Sequence, residues 1–257
     1  MDFLSAFVLG FVEGVSEFLP ISSTGHMILA SHLMGLNHTE FLKSFEIAIQ
    51  VGAILSVVFL YWRNLLVDLE TIKRLTVAFL PTGMIGLTVY RLVKSYLLGA
   101  TGVVLWSLLL GGIFLVLFEQ CYREKPDAEQ EISKMPYKTA FIIGLFQSIA
   151  MIPGVSRAAS TIVGGLIMGL SRKTIVEFSF LLAVPTMVAA TGYDLIKSGA
   201  QFSMSQFHIL FVGFVTSFIV ALLSIKFLLR FIQTHTFISF GIYRVVLVVL
   251  WFFFLPI

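Results

Sequence analysis

Two carboxylates, three consecutive hydroxyls and a histidine crowd into EGVSEFLPISSTGH, residues 13–26. Glu13 and Glu17 stand four apart, so a helix puts them on one face. In a low dielectric two such carboxylates repel unless something positive joins them. A divalent cation does so economically, and oxygen ligands favour magnesium or calcium. The other reading is that one glutamate is protonated and both merely tie helices together. Ser22, Ser23, Thr24 and Gly25 follow the helix-breaking Pro20 and open the next helical stretch. The free N–H groups and positive dipole end of a helix N-terminus bind phosphate, whereas plain N-capping needs only one of these hydroxyls. His26, one turn beyond Ser22, faces the same space. It suits general acid–base work, or the bridging of two helices.

A second polar stretch, PGVSRAAST at 153–161, supplies what the first lacks. Arg157 follows Gly154 and Ser156 at the start of a helical run, with Thr161 one turn on. Its planar guanidinium fits phosphate oxygens; paired with a glutamate instead, it would join the two stretches. An arginine at membrane depth is costly and functional by default. Carboxylates for a metal, hydroxyls and N–H groups for phosphate, an arginine and a titratable histidine form a phosphoryl-transfer set. From these residues alone the chain is a hydrolase or a carrier of a lipid phosphate. The serine–histidine pairing favours hydrolysis; a flippase using the same groups for a coupling ion and an anion is the alternative.

The elements that must position this chemistry are membrane elements. Apolar residues make up 58% of the 257-residue chain and charged residues 12%, against roughly 25% charged in soluble domains; the mean hydropathy is +0.98. Such a chain has room for about six spans of roughly 20 residues. Long continuous apolar runs favour helices over a barrel. The single cysteine, Cys121, excludes an intrachain disulfide framework. The net charge of +3 is scattered between apolar runs, so the partner is the bilayer and not nucleic acid. The N-terminus lacks a basic region ahead of its apolar run and reads as mature protein.

The chain also repeats itself. GFVEGVSEFLPISSTGHMILASHLMGL (10–36) aligns without a gap on GLFQSIAMIPGVSRAASTIVGGLIMGL (144–170). Glu13 meets Gln147, Ser22 meets Ser156, and Pro20 and Pro153 are one place out of register. Similar apolar spans follow, FEIAIQVGAILSVV (45–58) and FSFLLAVPTMVAAT (178–191). The expected organisation is one membrane domain, with repeat one over about 1–121, a polar linker at 122–136 and repeat two over about 137–257. Stretches 3–17 and 24–36 are each too short to cross, and so are 137–151 and 157–170. Each pair reads as a re-entrant hairpin whose broken backbone is tolerated only inside protein or beside water. Spans are expected at 40–62, 74–97, 101–121, 174–197, 206–232 and 237–257. The predicted fold is therefore an all-α polytopic membrane protein with an inverted-topology repeat, each half one re-entrant helical hairpin plus three transmembrane helices.

Charge supports the inversion. One face collects eleven basic residues, Arg63, Lys73, Arg74, Arg123, Lys125, Lys134, Lys138, Arg172, Lys173, Lys226 and Arg230; the other collects four, Lys43, Arg91, Lys94 and Lys197. The positive-inside rule puts the first set in the cytoplasm. Both termini then lie outside, and the hairpins enter from opposite sides so that their tips meet near the midplane, as in inverted-repeat transporters.

The pairing of EGVSEFLPISSTGH with PGVSRAAST, together with FEIAIQVGAIL, EFSFLLAVP and the terminal IYR, resembles the bacterial undecaprenyl-diphosphatases, the bacitracin-resistance phosphatases. The similarity covers nearly the whole chain. It implies a multi-pass enzyme of the cytoplasmic (inner) membrane, dependent on a divalent cation, with a site open to the periplasm. The implied reaction removes the terminal phosphate of undecaprenyl diphosphate and recycles the lipid carrier for wall polymers. On this resemblance Glu13 and Glu17 fall on the acidic motif, Ser22, Ser23 and His26 on the serine–histidine motif, and Arg157 on the arginine; Thr161 matches as a phosphate contact. Where the family often has serine after the arginine, this chain has Ala158. Glu17 and Glu13 are expected to hold the metal, and Ser23 to attack phosphorus or position water with His26 moving the proton. Thr24, Gly25, Gly154 and Ser156 line the phosphate. A homodimer is compatible with the sequence.

Other residues have plainer expectations. Glu46 and Gln50 either support the site or pair helices. Glu177 is expected as a first-turn charge, Arg244 as a partner of Tyr243 within the bundle, and Trp62 and Trp251 as interface anchors.

Overall fold

The computed structural model describes residues 1–36, 39–92, 101–198 and 206–254, with the side chains of 40, 90–92 and 194–198 excluded. Of the four expected outer-face cations, Lys94 lies outside the described residues, as do the side chains of Arg91 and Lys197. The described residues form α1 (Phe3–Ser16), α2 (Ser23–Leu33), α3 (Glu40–Leu66), α4 (Leu69–Leu92), α5 (Thr101–Cys121), α6 (Tyr137–Ile149), α7 (Arg157–Ile167), α8 (Arg172–Ser198), α9 (Phe207–Phe231) and α10 (Ile238–Phe254). Five of them, α3, α4, α5, α8 and α9, are long and apolar enough to cross a membrane. The sixth expected span is α10, which has 17 described residues. Phe7, Phe11, Leu80, Trp106, Phe114 and Phe227 stand exposed on helix surfaces. A surface this apolar is stable against lipid and not against water. The chain is an all-α polytopic membrane protein.

The element order recurs. Helices of 14, 11, 27, 24 and 21 residues are followed by helices of 13, 11, 27, 25 and 17. Aligned glycines serve aligned packing: Gly10 sets α1 against the Gly213 carbonyl of α9, and Gly144 sets α6 against the Ala78 carbonyl of α4. A Cβ at either place would collide with backbone, which cannot yield as a side chain can. Both hairpins end on a positive-φ glycine, Gly35 at 63° and Gly169 at 86°. The long helices α3 and α8 pack against each other, while α5 and α10 pack mainly on one another. Phe18, between α1 and α2, meets Phe180 of α8 edge-on at 5.4 Å. Where α3 passes to α4, the Thr71 hydroxyl and the N–H groups of Glu70 and Thr71 donate to Asp68 and hold its carboxyl below the usual range.

Two expectations are corrected. Glu177 is not in the first turn of α8, which begins at Arg172; it sits a turn deeper, half-buried, where its charge reaches Tyr61. Trp251 is no interface anchor. It is buried with Leu29, Leu105 and Val248 between α2, α5 and α10, against His32. The polar linker is docked on the second hairpin, where Glu129 exchanges backbone hydrogen bonds with Gly169 and Ser171; beside it Arg172 of α8 closes on Glu119 of α5 with bonds of 2.5 and 2.8 Å.

Candidate active site

Each hairpin breaks at a serine with an unusual backbone. Ser22 has φ 75° and ψ 97°, and its repeat counterpart Ser156 has φ 69° and ψ 113°. L-residues avoid this region, and holding one there costs about 1–3 kcal/mol. The same capping bond offsets part of that cost at both tips: the Ser22 hydroxyl accepts from the Gly25 N–H at 3.4 Å, the Ser156 hydroxyl from the Ala159 N–H at 3.2 Å. The residue four places on then closes the same turn. His26 Nδ1 lies 2.8 Å from the Ser22 carbonyl, and the Ser160 hydroxyl donates to the Ser156 carbonyl at 3.0 Å.

The two tips meet at Glu17. Its Oε2 accepts from the Ser23 hydroxyl at 2.5 Å, and its Oε1 accepts from Arg157 Nη2 at 3.2 Å. Arg157 Nη1 donates to the Ser179 carbonyl of α8 at 2.8 Å, which fixes the guanidinium from behind. Ser23 and Arg157 occupy corresponding places, each directly after its strained serine. The arginine–glutamate ion pair is buried, with side-chain exposures of 12% and 5%. Its partners come from opposite halves of the chain. Glu13 lies one turn before Glu17 and is also buried; the charges of Glu17, Glu46 and Arg157 all act on it. Two buried atoms here, Glu13 Oε1 and Arg157 Nε, have no hydrogen-bond partner among the described residues. An unsatisfied buried polar atom needs a reason, and an unbound ligand is a common one.

The other expected residues fall around this centre. Thr24 is exposed in the first turn of α2, and Gly25 is buried against Leu108. Gly154 has φ 94°, and an added Cβ would stand 2.7 Å from the Val104 carbonyl. Thr161 is fully buried, with its hydroxyl 2.6 Å from Ser179 Oγ and also on the carbonyls of Arg157 and Ala158. It therefore stands behind the arginine. His26 forms no hydrogen bond with Ser23: Nδ1 goes to Ser22, and Nε2 lies 2.8 Å from the Tyr243 hydroxyl. The proton acceptor nearest Ser23 is Glu17.

The family model described as "Bacitracin resistance protein BacA" matches residues 6–250. The chain belongs to the BacA family. It is 55% identical over 242 residues to the "Undecaprenyl-diphosphatase" of Aquifex aeolicus, covering 94% of each chain. It is 51% identical over 252 residues to the protein of the same name from a Sulfurihydrogenibium species, covering 98% of this chain and 99% of the other. Against the Campylobacter jejuni protein of that name the identity is 48% over 248 residues, covering 96% and 92%.

Three residues of this BacA-family chain join the site without having been expected to act in it. Ser179 supports Arg157 and Thr161 from α8. Tyr243 meets His26. Arg244, expected beside Tyr243, instead reaches main-chain carbonyls of Ser107, Leu108 and Gly154. Each left some trace in the sequence: Tyr243 and Arg244 fall in the terminal IYR, and the second aligned span sets Ser179 against Glu46, whose charge reaches Glu13 at the other tip.

Proposed function

We propose that this chain hydrolyses undecaprenyl diphosphate to undecaprenyl phosphate and inorganic phosphate, with the diphosphate held where the hairpin tips meet. The observation that carries the reading is the Ser23–Glu17–Arg157 constellation: hydroxyl, carboxylate and guanidinium in contact and largely buried between the tips, drawn from both halves. The names of the relatives favour hydrolysis over transport. In this reading Ser23 Oγ attacks the terminal phosphorus and passes its proton to Glu17 Oε2. The Oγ–P bond forms as the bond to the bridging oxygen breaks. Undecaprenyl phosphate leaves as an anion; a phosphate monoester's second pKa is about 6, so it departs with little help from an acid. Water then cleaves the phosphoserine, with His26 taking its proton and the serine recovering its own. Arg157 and the N–H groups of the half-helices neutralise the charge that develops on phosphorus oxygens.

No set of three or more metal-binding side chains occurs among the described residues. The two carboxylates still fit a magnesium-type ion, because such an ion is held by one or two carboxylates and completes its shell with phosphate oxygens and water; calcium would need more oxygens from the same sources. The unpartnered Glu13 Oε1 points the same way. Glu13 and Glu17 would hold the ion, which would neutralise diphosphate charge.

The finer placement follows from the charge count. The halves are inserted in opposite senses in the bacterial inner membrane, and the site opens to the periplasm. Recycling the lipid carrier there accounts for bacitracin resistance and for a role in peptidoglycan synthesis. The test is phosphate release by the purified protein from undecaprenyl diphosphate, with magnesium and with chelator, followed by single-turnover quenching. A phosphoserine at Ser23 is the expected intermediate. Release without any trapped phosphoserine would hand the attack to water; no release at all would remove the phosphatase reading.

A further inference from the structure

One dipeptide touches both tips. Tyr243 and Arg244 are adjacent on α10, far in sequence from either hairpin. The Tyr243 hydroxyl is 2.8 Å from His26 Nε2, and the rings stack at 5.5 Å with 9° between their planes. Arg244 is 0% exposed. Its Nη2 donates to the Gly154 carbonyl in the second tip and to the Ser107 carbonyl, both at 2.9 Å, and its Nε donates to the Leu108 carbonyl at 3.2 Å. A fully buried guanidinium is costly, and here it is satisfied by carbonyls alone. Gly111 makes room for it: a Cβ there would run into the guanidinium. Gly112 and Gly241 let α5 and α10 touch backbone to backbone one turn away, each added Cβ meeting the other's carbonyl at 2.8 and 2.7 Å.

The hydrogen bonds also fix the state of His26. A carbonyl oxygen can only accept, so the nitrogen facing Ser22, Nδ1, carries the proton. In the neutral ring Nε2 is then an acceptor, and the tyrosine hydroxyl donates to it. The Ser22 carbonyl thus holds the tautomer and Tyr243 the ring orientation; because the tyrosine hydroxyl occupies the Nε2 lone pair, a proton from water reaches Nε2 through the tyrosine oxygen as the tyrosine's own passes to the ring.

We propose that Tyr243 and Arg244 serve the reaction from α10: Tyr243 holds the orientation of His26 and passes the proton to its Nε2 at the first tip, while Arg244 is a positioning residue that pins the same helical turn to Gly154 of the second. Both tips then take their register from α10. This rests on the phosphatase reading above. Tyr243 is 43% exposed and loses only a hydroxyl on conversion to phenylalanine, so Tyr243→Phe should fold.

The deciding experiment measures kcat and KM for wild type, Tyr243→Phe, His26→Asn and the double variant in detergent. It is run beside ¹⁵N-histidine spectra, with the His26 signal assigned by its absence in His26→Asn. The expected result is a kcat about tenfold lower for Tyr243→Phe, the low end for losing an orienting partner, with KM within about twofold. The same change should have no further effect in the His26→Asn background, and the Nδ1–H signature of His26 should weaken without tyrosine's hydroxyl. Arg244→Lys, which cannot reach three carbonyls at once, should reproduce the kcat loss if it folds; if it does not fold, the tyrosine cycle and the spectra decide. An active wild type with an unaffected Tyr243→Phe would overturn the proposal and leave the phosphatase standing. Additive losses, or an unchanged His26 signature, would overturn it too. An inactive wild type would remove the phosphatase reading and this proposal with it.

Discussion

The two hairpin tips share a backbone and divide the chemistry. Ser22 and Ser156 adopt the same rare conformation, cap the same N–H and close the same following turn. Yet the side chains hung on this frame are opposites. The first tip has Glu13 and Glu17 where the second has Gln147 and Met151, and Ser23 where the second has Arg157. Neither tip alone holds both charges of the pair at Glu17. What the comparison teaches is that the strained turn is a presenting device, and that a working site needs two of them facing each other with complementary groups.

The sharpest way to break that comparison is to remove either charge where the tips touch. Glu17→Gln should leave Ser23 a weaker acceptor and Arg157 without its carboxylate; Arg157→Ala should leave the anion without its clamp. Each is expected to lower kcat by at least about 10²–10³, the scale seen when one transition-state donor is lost. The readout is phosphate release at saturating lipid. Activity within a few-fold of wild type in either variant would mean that the contact between tips is architectural only.

A carboxylate at the second tip tests the division from the other side. Gln147 is buried and its amide donates to the hydroxyls of Thr82 and Thr186, both at 3.0 Å. Gln147→Glu restores the first tip's residue type but brings at most one donor, and no cation lies among those partners. A lost buried hydrogen bond costs about 1–3 kcal/mol, so thermal unfolding in detergent should shift downward with no gain in activity. A more active or more stable variant would mean that the second tip retains a latent acidic site.

The smaller effect at the first tip concerns Glu13. In the proposed reading its unpartnered oxygen is kept for the metal and not for the serine. Glu13→Gln should therefore raise the magnesium concentration needed for half-maximal rate by at least about tenfold, in line with the cost of disturbing a metal's ligand environment. The rate at saturating magnesium should fall less. A pure kcat loss at every magnesium concentration would reassign Glu13 to the chemistry.

Much of this frame was legible in the sequence because membrane helices and breaks are local signals. The expected span 101–121 coincides with α5, and both hairpins break within a few residues of the expected places. The residues Glu17, Ser23 and Arg157 were legible too, since polar side chains in an apolar chain announce themselves. Their contacts were not. Ser23 next to His26 in sequence suggested a serine–histidine pair, but the turn points the hydroxyl at Glu17 and the ring at Tyr243. Tyr243 and Arg244 looked like ordinary bundle residues, because α10 lies far from both tips in sequence and reaches them only in the packed structure. Trp251 failed for the same reason: its burial is decided by a neighbouring helix and not by its own.

The positive φ at Ser22 and Ser156 was the least legible feature of all, since serine is not a residue that advertises it. It is also the most economical test of whether the two tips share a scaffold. At Ser156, alanine removes the cap, worth about 1 kcal/mol, and keeps the strain. Glycine forfeits only a few tenths as a cap and relieves the strain, while its freer unfolded chain takes some of that back. Ser156→Gly should thus unfold within about 0.5 kcal/mol of wild type, and Ser156→Ala about 1 kcal/mol or more below it. The same ordering should hold at Ser22, where, on the proposed placement of the diphosphate, activity should fall in both variants because the hydroxyl would also face the phosphate. Alanine as stable as glycine at either tip would mean that the backbone relaxes once the serine is gone, and that the strain belongs to the side chain's bond and not to the turn.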